Sequence, residues 1–336
     1  MAKRIRISTF FRNLYSLMKY DLHKADNENQ KAITNFSYLQ HQKYEELYYD
    51  IKDKYDLLRL ELLKEKIVRY YYTQGASDCE KYKDELDYLE HHAFSIFPYE
   101  KLKSIETITC ELDTELLMNY VLHEGKRLYF PKTWHKGRCT SVYLGYIEDE
   151  NLLGGNYRKK SPHQYESETI KVEKGDVLVD VGCAEALFTL HHINDISKAY
   201  LVEVDTEWKN PLEATFSPYK EKVEIINKLI SNVDSKDSIT LKTLLEKDRS
   251  NSVYVKMDIE GYETSVIESS MPFLNSFFSV KMACCTYHKA YDAEKLERIL
   301  TDCGFSVEYS DGYMLFPMDR GLEIPYFRKG LIRAKK

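Results

Sequence analysis

The residues best suited to chemistry follow apolar runs in the second half of the chain. Asp258 and Glu260 come directly after the run of residues 253–257, and Gly261 marks a turn behind them. In an open parallel sheet, ligands bind in the crevice at the carboxyl ends of the strands. Carboxylates there could coordinate a metal, act as a general base or hold an amino group of a cofactor. They could equally cap the helix that follows.

His288 follows the next apolar run, residues 280–285, and is expected at the same edge of the sheet. Imidazole titrates near neutrality, so a histidine beside two carboxylates is a candidate general base. A lone histidine is more often structural. His163, which precedes this part of the chain, is a weaker candidate. If a divalent metal binds, Asp258, Glu260 and His288 are the predicted ligands.

A second motif, residues 180–186, follows the apolar run Val177–Val181. Gly182 would let the backbone approach a ligand closely, and the helix expected next would offer free N–H groups. A dinucleotide fingerprint would read Gly-x-Gly-x-x-Gly, but Ala184 and Ala186 occupy the later positions. The motif therefore favours a ligand without a pyrophosphate over NAD, and a plain strand–helix turn is the structural alternative.

Glu203 lies about twenty residues beyond Gly182, at the end of the predicted strand 199–202. An acidic residue at this place can accept hydrogen bonds from the hydroxyls of a ribose. Asp205 is the nearest alternative. A solvated carboxylate at the end of a strand would need no ligand.

Strands and helices are predicted to alternate from residue 170 to the C-terminus, which is typical of a doubly wound, mostly parallel α/β sheet. The predicted strands are Val177–Val181, 199–202, Val223–Ile226, 253–257, 280–285, 305–309, 313–316 and 331–334. The predicted helices are 185–193, 241–247, 262–269 and 293–303.

The first half of the chain has a different pattern. Residues 10–90 contain almost no Gly or Pro and show helical spacing of apolar residues, with a break near Gly75. Short apolar runs, including residues 142–144, then indicate strands. We expect a mainly helical or mixed domain at 1–150, a linker at 151–169 and a ligand-binding domain at 170–336. The N-terminal helices could oligomerise, control access of a substrate, or simply pack.

Composition restricts the class of protein. The 336 residues carry a net charge of -6, which argues against general nucleic-acid binding. No apolar run is long enough to span a bilayer, and the basic residues 1–6 lack the apolar stretch of a secretory signal. Seven cysteines without a Cys-x-x-Cys pair are typical of reduced thiols in a cytoplasmic protein.

These motifs resemble those of a known family. Residues 177–190 resemble the first cofactor motif of class I methyltransferases. Residues 255–263, Val-Lys-Met-Asp-Ile-Glu-Gly-Tyr-Glu, are similar to the Lys-x-Asp-x-Glu-Gly-x-Glu hallmark of the FkbM family, as is the lead-in Lys174-Gly175-Asp176. The resemblance covers residues 170–334, about half of the chain, and leaves the first 150 residues without a counterpart.

The resemblance implies a class I Rossmann-like fold, S-adenosylmethionine as methyl donor, and O-methylation of a small molecule or sugar. The cofactor-binding residues that it implies are Asp180, Gly182, Cys183, Glu185, Glu203 and Asp258, with Asp258, Glu260 and His288 as catalytic residues. Two departures are Ala186, where the family has a second glycine, and Thr286, where many members have Glu. A nucleotide-sugar or NAD-binding enzyme and a non-catalytic binding protein stay open as alternatives.

Overall fold

The computed structural model describes residues 27–102, 108–156, 160–317 and 322–336. The chain divides into two compact units, residues 1–66 and 67–336. The long helix α1 spans Asn27–Gln74. It ends at Gly75, where φ is +115°, so the predicted break is confirmed. The basic N-terminus and the start of the predicted helical stretch lie outside the described residues.

In the second unit, a seven-stranded sheet forms the framework. Its order is β11-β14-β10-β9-β4-β5-β6, with only β14 antiparallel to its neighbours. The predicted doubly wound, mostly parallel sheet is therefore confirmed. The strands are β4 (Val177–Val181), β5 (Lys198–Val202), β6 (Val223–Ile226), β9 (Ser252–Met257), β10 (Ser279–Cys285), β11 (Ser306–Tyr309) and β14 (Leu331–Lys335).

The central strands are buried on both faces, which explains their continuous apolar sequences. One hydrophobic core lies on each side of the sheet. The helices between the strands are α5 (Leu187–His192), α6 (Lys209–Phe216), α7 (Leu241–Leu245), α8 (Glu263–Leu274) and α9 (Asp292–Asp302). Two short strand pairs complete this part: β7 (Leu229–Ile230) with β8 (Ser238–Ile239), and β12 (Met314–Leu315) with β13 (Phe327–Arg328).

Smaller elements precede the large sheet. They are α2 (Ala76–Lys81), α3 (Lys83–His91), the antiparallel strands β1 (Cys110–Asp113), β2 (Met118–His123) and β3 (Lys126–Tyr129), and α4 (Lys136–Leu144). The prediction of a strand at 142–144 was wrong. These residues end α4, which begins where the His135 side chain accepts a hydrogen bond from the Arg138 N–H.

Residues of this smaller sheet share a core with the large one. Val121 and Leu128 belong to the same buried cluster as Leu178 and Leu187. The proposed domain boundaries at residues 150 and 170 stay a prediction. Within the ranges that the structure describes, no helix is both long and apolar enough to cross a membrane.

Candidate active site

Two loops meet at the carboxyl ends of β4 and β9. The parallel register places Val181 beside Met257, and the Asp258 N–H donates to the Val181 carbonyl at 3.1 Å. Gly182 has φ +66°, and a Cβ at this position would lie 1.9 Å from the Asp258 carbonyl oxygen. Only glycine fits so close an approach of the two backbones. We call residues 182–186 the Gly182 loop.

The Gly182 loop contains two further left-handed residues, Ala184 (φ 44°) and Ala186 (φ 59°). Each costs about 1–2 kcal/mol for a residue with a Cβ. Ala186 thus adopts the backbone conformation that glycine favours. The turn is therefore left-handed at this residue even though alanine replaces the second glycine of the family pattern. Glu260, in the facing loop, is also left-handed at φ 56°. Strained residues of this kind cluster where a fold presents a functional site.

Glu203 ties the end of β5 to the Gly182 loop. Its Oε2 accepts from the Ala184 N–H at 2.9 Å, and its Oε1 accepts from the Asp205 N–H at 2.8 Å. Each carboxylate oxygen keeps a further lone pair, so the position is compatible with a ribose. Asp205 instead accepts from the Glu207 N–H and caps a short 3₁₀ turn.

Asp180 is buried beneath the loop and bonds within the protein. The Thr189 hydroxyl donates to its Oδ2 at 2.8 Å, and Lys256 Nζ lies 3.0 Å from its Oδ1. Lys256 also donates to the Gly182 carbonyl at 2.8 Å. Burial disfavours the charge of Lys256, but Asp180 holds the lysine pKa above its ordinary value. This pair supports the loop from below.

Cys183 and Glu185 are both buried in the loop. Burial raises the pKa of the Cys183 thiol well above its ordinary value, so the thiol stays protonated. Burial also raises the pKa of Glu185 to about 7. Glu185 therefore changes charge near neutrality, within the loop where the ligand is expected.

Asp258 stands at the centre of a polar cluster. The Tyr287 hydroxyl donates to its Oδ1 at 3.2 Å, and the Tyr165 hydroxyl donates to its Oδ2 at 3.3 Å. His288 Nε2 lies 3.4 Å from Oδ1, and His163 Nε2 lies 3.7 Å from Oδ2. Although burial opposes ionisation, the two histidines hold the pKa of Asp258 below its ordinary range. The carboxylate is an anion surrounded by donors.

Each histidine has a second carboxylate behind it. His163 Nδ1 lies 3.2 Å from Glu150 Oε2, and His288 Nδ1 lies 2.8 Å from the buried Glu263 Oε1. Burial acts to lower the pKa of His163, but Asp258 and Glu150 raise it to about 9. Burial likewise opposes the charge of His288, and Glu263 and Asp258 raise its pKa. His163 is thus a cation at neutral pH and a poor proton acceptor.

Glu260 is the most exposed predicted site residue, with 87% of its side chain accessible. Its Oε2 lies 4.0 Å from His288 Nε2. Two groups around Asp258 have possible ligand atoms within 4.8 Å of one another: Asp258 with Glu263 and His288, and Asp258 with His163 and Cys285. Of the predicted ligands, Asp258 and His288 lie together with Glu263, whereas Glu260 is part of neither group, and the predicted ligand set stays a prediction.

Several residues of the cluster were not predicted from the sequence. A lysine within a buried strand needs a carboxylate or another hydrogen-bond acceptor as its partner, and this requirement could have identified Lys256 as a residue of the site. Glu263 belongs to the quoted hallmark, but no role was assigned to it. Glu150 and Tyr165 come from the chain before the sheet, and no local pattern indicates them.

Comparison with known proteins gives one family. Residues 154–307 match the methyltransferase FkbM domain. Methyltransferase FkbM from Methylobacillus flagellatus KT is similar at 17% identity, with 50% of this chain and 45% of that chain covered and a TM-score of 0.38. Precorrin-6y C5,15-methyltransferase from Geobacter metallireducens GS-15 is similar at 11% identity, with 49% and 81% covered and a TM-score of 0.33.

The present chain spans less than half of the length of the Methylobacillus protein. No curated protein matches it in sequence. The family match includes the Gly182 loop, Glu203 and Asp258, the residues that the sheet brings together. Residues 154–307 of the chain are therefore similar to a methyltransferase FkbM domain, and this segment makes up just under half of the chain.

Proposed function

We propose that the protein is an S-adenosylmethionine-dependent O-methyltransferase that acts on a hydroxyl of a small molecule or saccharide. One observation carries this proposal. Asp258, an anion held by two tyrosines and two histidines, lies directly across from the Gly182 loop at the carboxyl ends of two central strands. A cofactor loop and a proton-handling cluster are thus neighbours in one crevice.

The residues present fit the proposed donor. Gly182 lets the loop pack directly against the Asp258 backbone, where any side chain would collide, and Glu203 offers carboxylate lone pairs at the end of β5. Lys256 and Asp180 hold the loop in place. S-adenosylmethionine, when bound, supplies a methyl group on a positively charged sulfur. Because that methyl is already activated, the protein mainly has to position the reactants and accept one proton.

We assign the proton acceptor to His288. Glu263 lies against its Nδ1, so Nε2 is the atom that faces Asp258 and the crevice. Asp258, the alternative base, is the weaker acceptor because its pKa is lowered. The raised pKa of His288 means that the rate should increase with pH as its imidazole loses the proton. Unchanged turnover in His288→Ala, across a panel of hydroxyl-bearing acceptors, would exclude this assignment.

A divalent metal at Asp258, Glu260 and His288 is a second form of the same proposal. A cation there would acidify the acceptor hydroxyl and replace the histidine as the activating group. The alternative metal set exchanges Glu260 for Glu263. Full methyl transfer in excess chelator would exclude the metal-dependent form and leave the base assignment in place.

Isothermal titration with S-adenosylmethionine and S-adenosylhomocysteine, beside NAD and UDP-glucose, tests the donor. We expect the first two ligands to bind, with an affinity loss of about tenfold or more in Glu203→Ala, because a hydrogen-bonded ribose contact is removed. Glu213→Ala, an exposed carboxylate on α6, is the matched control. Binding of only NAD or UDP-glucose would favour those enzyme classes. No binding at all would favour a non-catalytic role.

We also propose the cellular compartment of the protein and the kind of acceptor that it uses. All seven cysteines are free thiols, which fits a reducing compartment such as the cytoplasm. The net charge of -6 favours a small acceptor over nucleic acid.

Leu47, Ile51 and Leu58 on α1 are more than half exposed, which supports assembly into a homo-oligomer through this helix. Sedimentation of the protein and of a triple Leu47/Ile51/Leu58→Gln variant would test that assembly.

A further inference from the structure

A second histidine cluster lies outside the residues used above. It consists of His123 at the end of β2, Glu124 in the turn that follows, and His191 in the last turn of α5. His123 Nε2 lies 3.2 Å from His191 Nδ1, and His191 Nδ1 lies 3.2 Å from Glu124 Oε1. All three candidate ligand atoms are within 4.8 Å of one another. Nothing in the methyltransferase proposal requires this arrangement.

The distances between these ligand atoms match those between atoms that coordinate one metal ion. Nitrogen and oxygen ligands bound to zinc at about 2.0–2.1 Å in a tetrahedron lie about 3.3 Å apart. Two imidazole nitrogens and one carboxylate oxygen form a ligand set that suits zinc, and they leave a fourth position for water. Magnesium and calcium prefer oxygen ligands and fit this set poorly.

The surroundings hold the ligands in place. His123 is only 4% exposed, and the Tyr143 hydroxyl lies 3.0 Å from its Nδ1, so that Nε2 is left for the cluster. Metal-bound histidines commonly have such a partner on the second ring nitrogen. The side chains of His191 and Glu124 are 31% and 52% accessible, so an ion and its water can enter.

The turn also contributes. Glu124 (φ 49°) and Gly125 (φ 80°) are both left-handed, as in a tight two-residue hairpin turn. Glycine would be the easier residue at the first position, yet a carboxylate stands there. Lys126 Nζ lies 3.1 Å from Glu124 Oε2, so one oxygen has a cationic partner while Oε1 faces His191.

We propose that His123, Glu124 and His191 form a zinc-binding site with one position open to water. The ion would join the β2–β3 turn to α5, the helix that directly follows the Gly182 loop. The site is distinct from the cluster at Asp258 and shares no ligand with it.

Titration of the untagged, chelator-stripped full chain with CoCl2 and ZnCl2 tests this site. Cobalt should give the visible absorption of a four-coordinate ion, and zinc should abolish it by displacement. His191→Ala and Glu124→Gln should each weaken binding by about 100-fold or more, because each removes one of three protein ligands. Tyr143→Phe should weaken it by about 10- to 100-fold, as expected for a partner of a ligand.

Three controls make the result decisive. His91→Ala removes an exposed histidine elsewhere, and Asp258→Asn removes the residue that both groups around Asp258 share; both variants should keep the four-coordinate cobalt absorption that His191→Ala loses. Circular dichroism of each variant excludes unfolding as the cause of a loss. Equal binding by His191→Ala and the parent chain, or loss only in Asp258→Asn, would overturn the proposal, as would the absence of four-coordinate cobalt absorption.

Discussion

His163 and His123, one from each of the two clusters described above, are buried to similar extents, but their pKa values are shifted in opposite directions. His163 is 2% exposed and His123 is 4% exposed. Carboxylates next to His163 overcome the effect of burial and raise its pKa to about 9. Burial lowers the pKa of His123 to about 4, because the nearby Glu124 carboxylate raises it too little to compensate and the His191 imidazole lowers it further. Neighbouring charge, more than depth, decides which imidazole carries a proton.

The difference divides the chemistry between the clusters. At neutral pH the Asp258 cluster contains charged groups, which can hold an anion and exchange protons with an acceptor. The His123 cluster contains neutral imidazoles, whose nitrogen lone pairs can bind a metal. One fold thus presents two kinds of histidine site.

Asp258→Asn should have the largest effect, because it removes the anion that both histidines share. The pKa of His163 should fall by at least about one unit, since one of its two carboxylates is lost. Methyl transfer should fall by about 10²- to 10⁴-fold, the usual effect of removing a group that handles a proton. Histidine titration followed by NMR and release of S-adenosylhomocysteine measure the two effects.

Asp237→Asn, an exposed carboxylate outside both clusters, is the matched control for this change. It should alter neither the titration of His163 nor the turnover. If the pKa of His163 stayed near 9 in Asp258→Asn, the carboxylate would not be the source of its charge. The contrast between the clusters would then need another cause.

His163→Gln should change how stability depends on pH. The raised pKa of His163 means that its stabilising contribution is complete below pH 6.5 and is lost as pH rises through about 9. The contribution is at most about 3 kcal/mol. The His163 side chain faces Asp258, Glu150 and the Cys285 thiol. The pKa of the thiol is raised, so the thiol stays neutral over most of this pH range. Urea unfolding at pH 6, 7.5 and 9 gives the slope.

In this series, the parent chain should lose stability from pH 6 to pH 9, and the His163→Gln variant should show a flatter profile. His91→Gln removes an exposed imidazole and should keep the slope of the parent chain. Parallel profiles for the parent and the His163→Gln variant would contradict a buried, charged His163.

The clusters also show what the sequence could predict. Asp258 and His288 each follow an apolar run, and parallel strands bring their carboxyl ends to one edge, so the meeting of these two residues was predictable. Glu150 and Tyr165 reach the same carboxylate from outside the sheet, and no spacing rule connects them to it. His123 and His191 are 68 positions apart, on a hairpin and a helix. The run at 142–144 was misread because three apolar residues have no measurable period.

Tyr143→Phe should give the smallest stability effect and should test the neutral cluster. It removes the hydroxyl beside His123 Nδ1 and leaves a buried polar atom without that partner, which costs about 1 kcal/mol. In chelator, this loss should be equal at pH 7 and pH 9, because the pKa values of both cluster histidines are lowered and that of Tyr143 is raised. Urea unfolding at both pH values, with the exposed Tyr262→Phe as control, measures it. A loss that changed with pH between 7 and 9 would mean that this cluster also carries a titrating charge, and the contrast with His163 would fail.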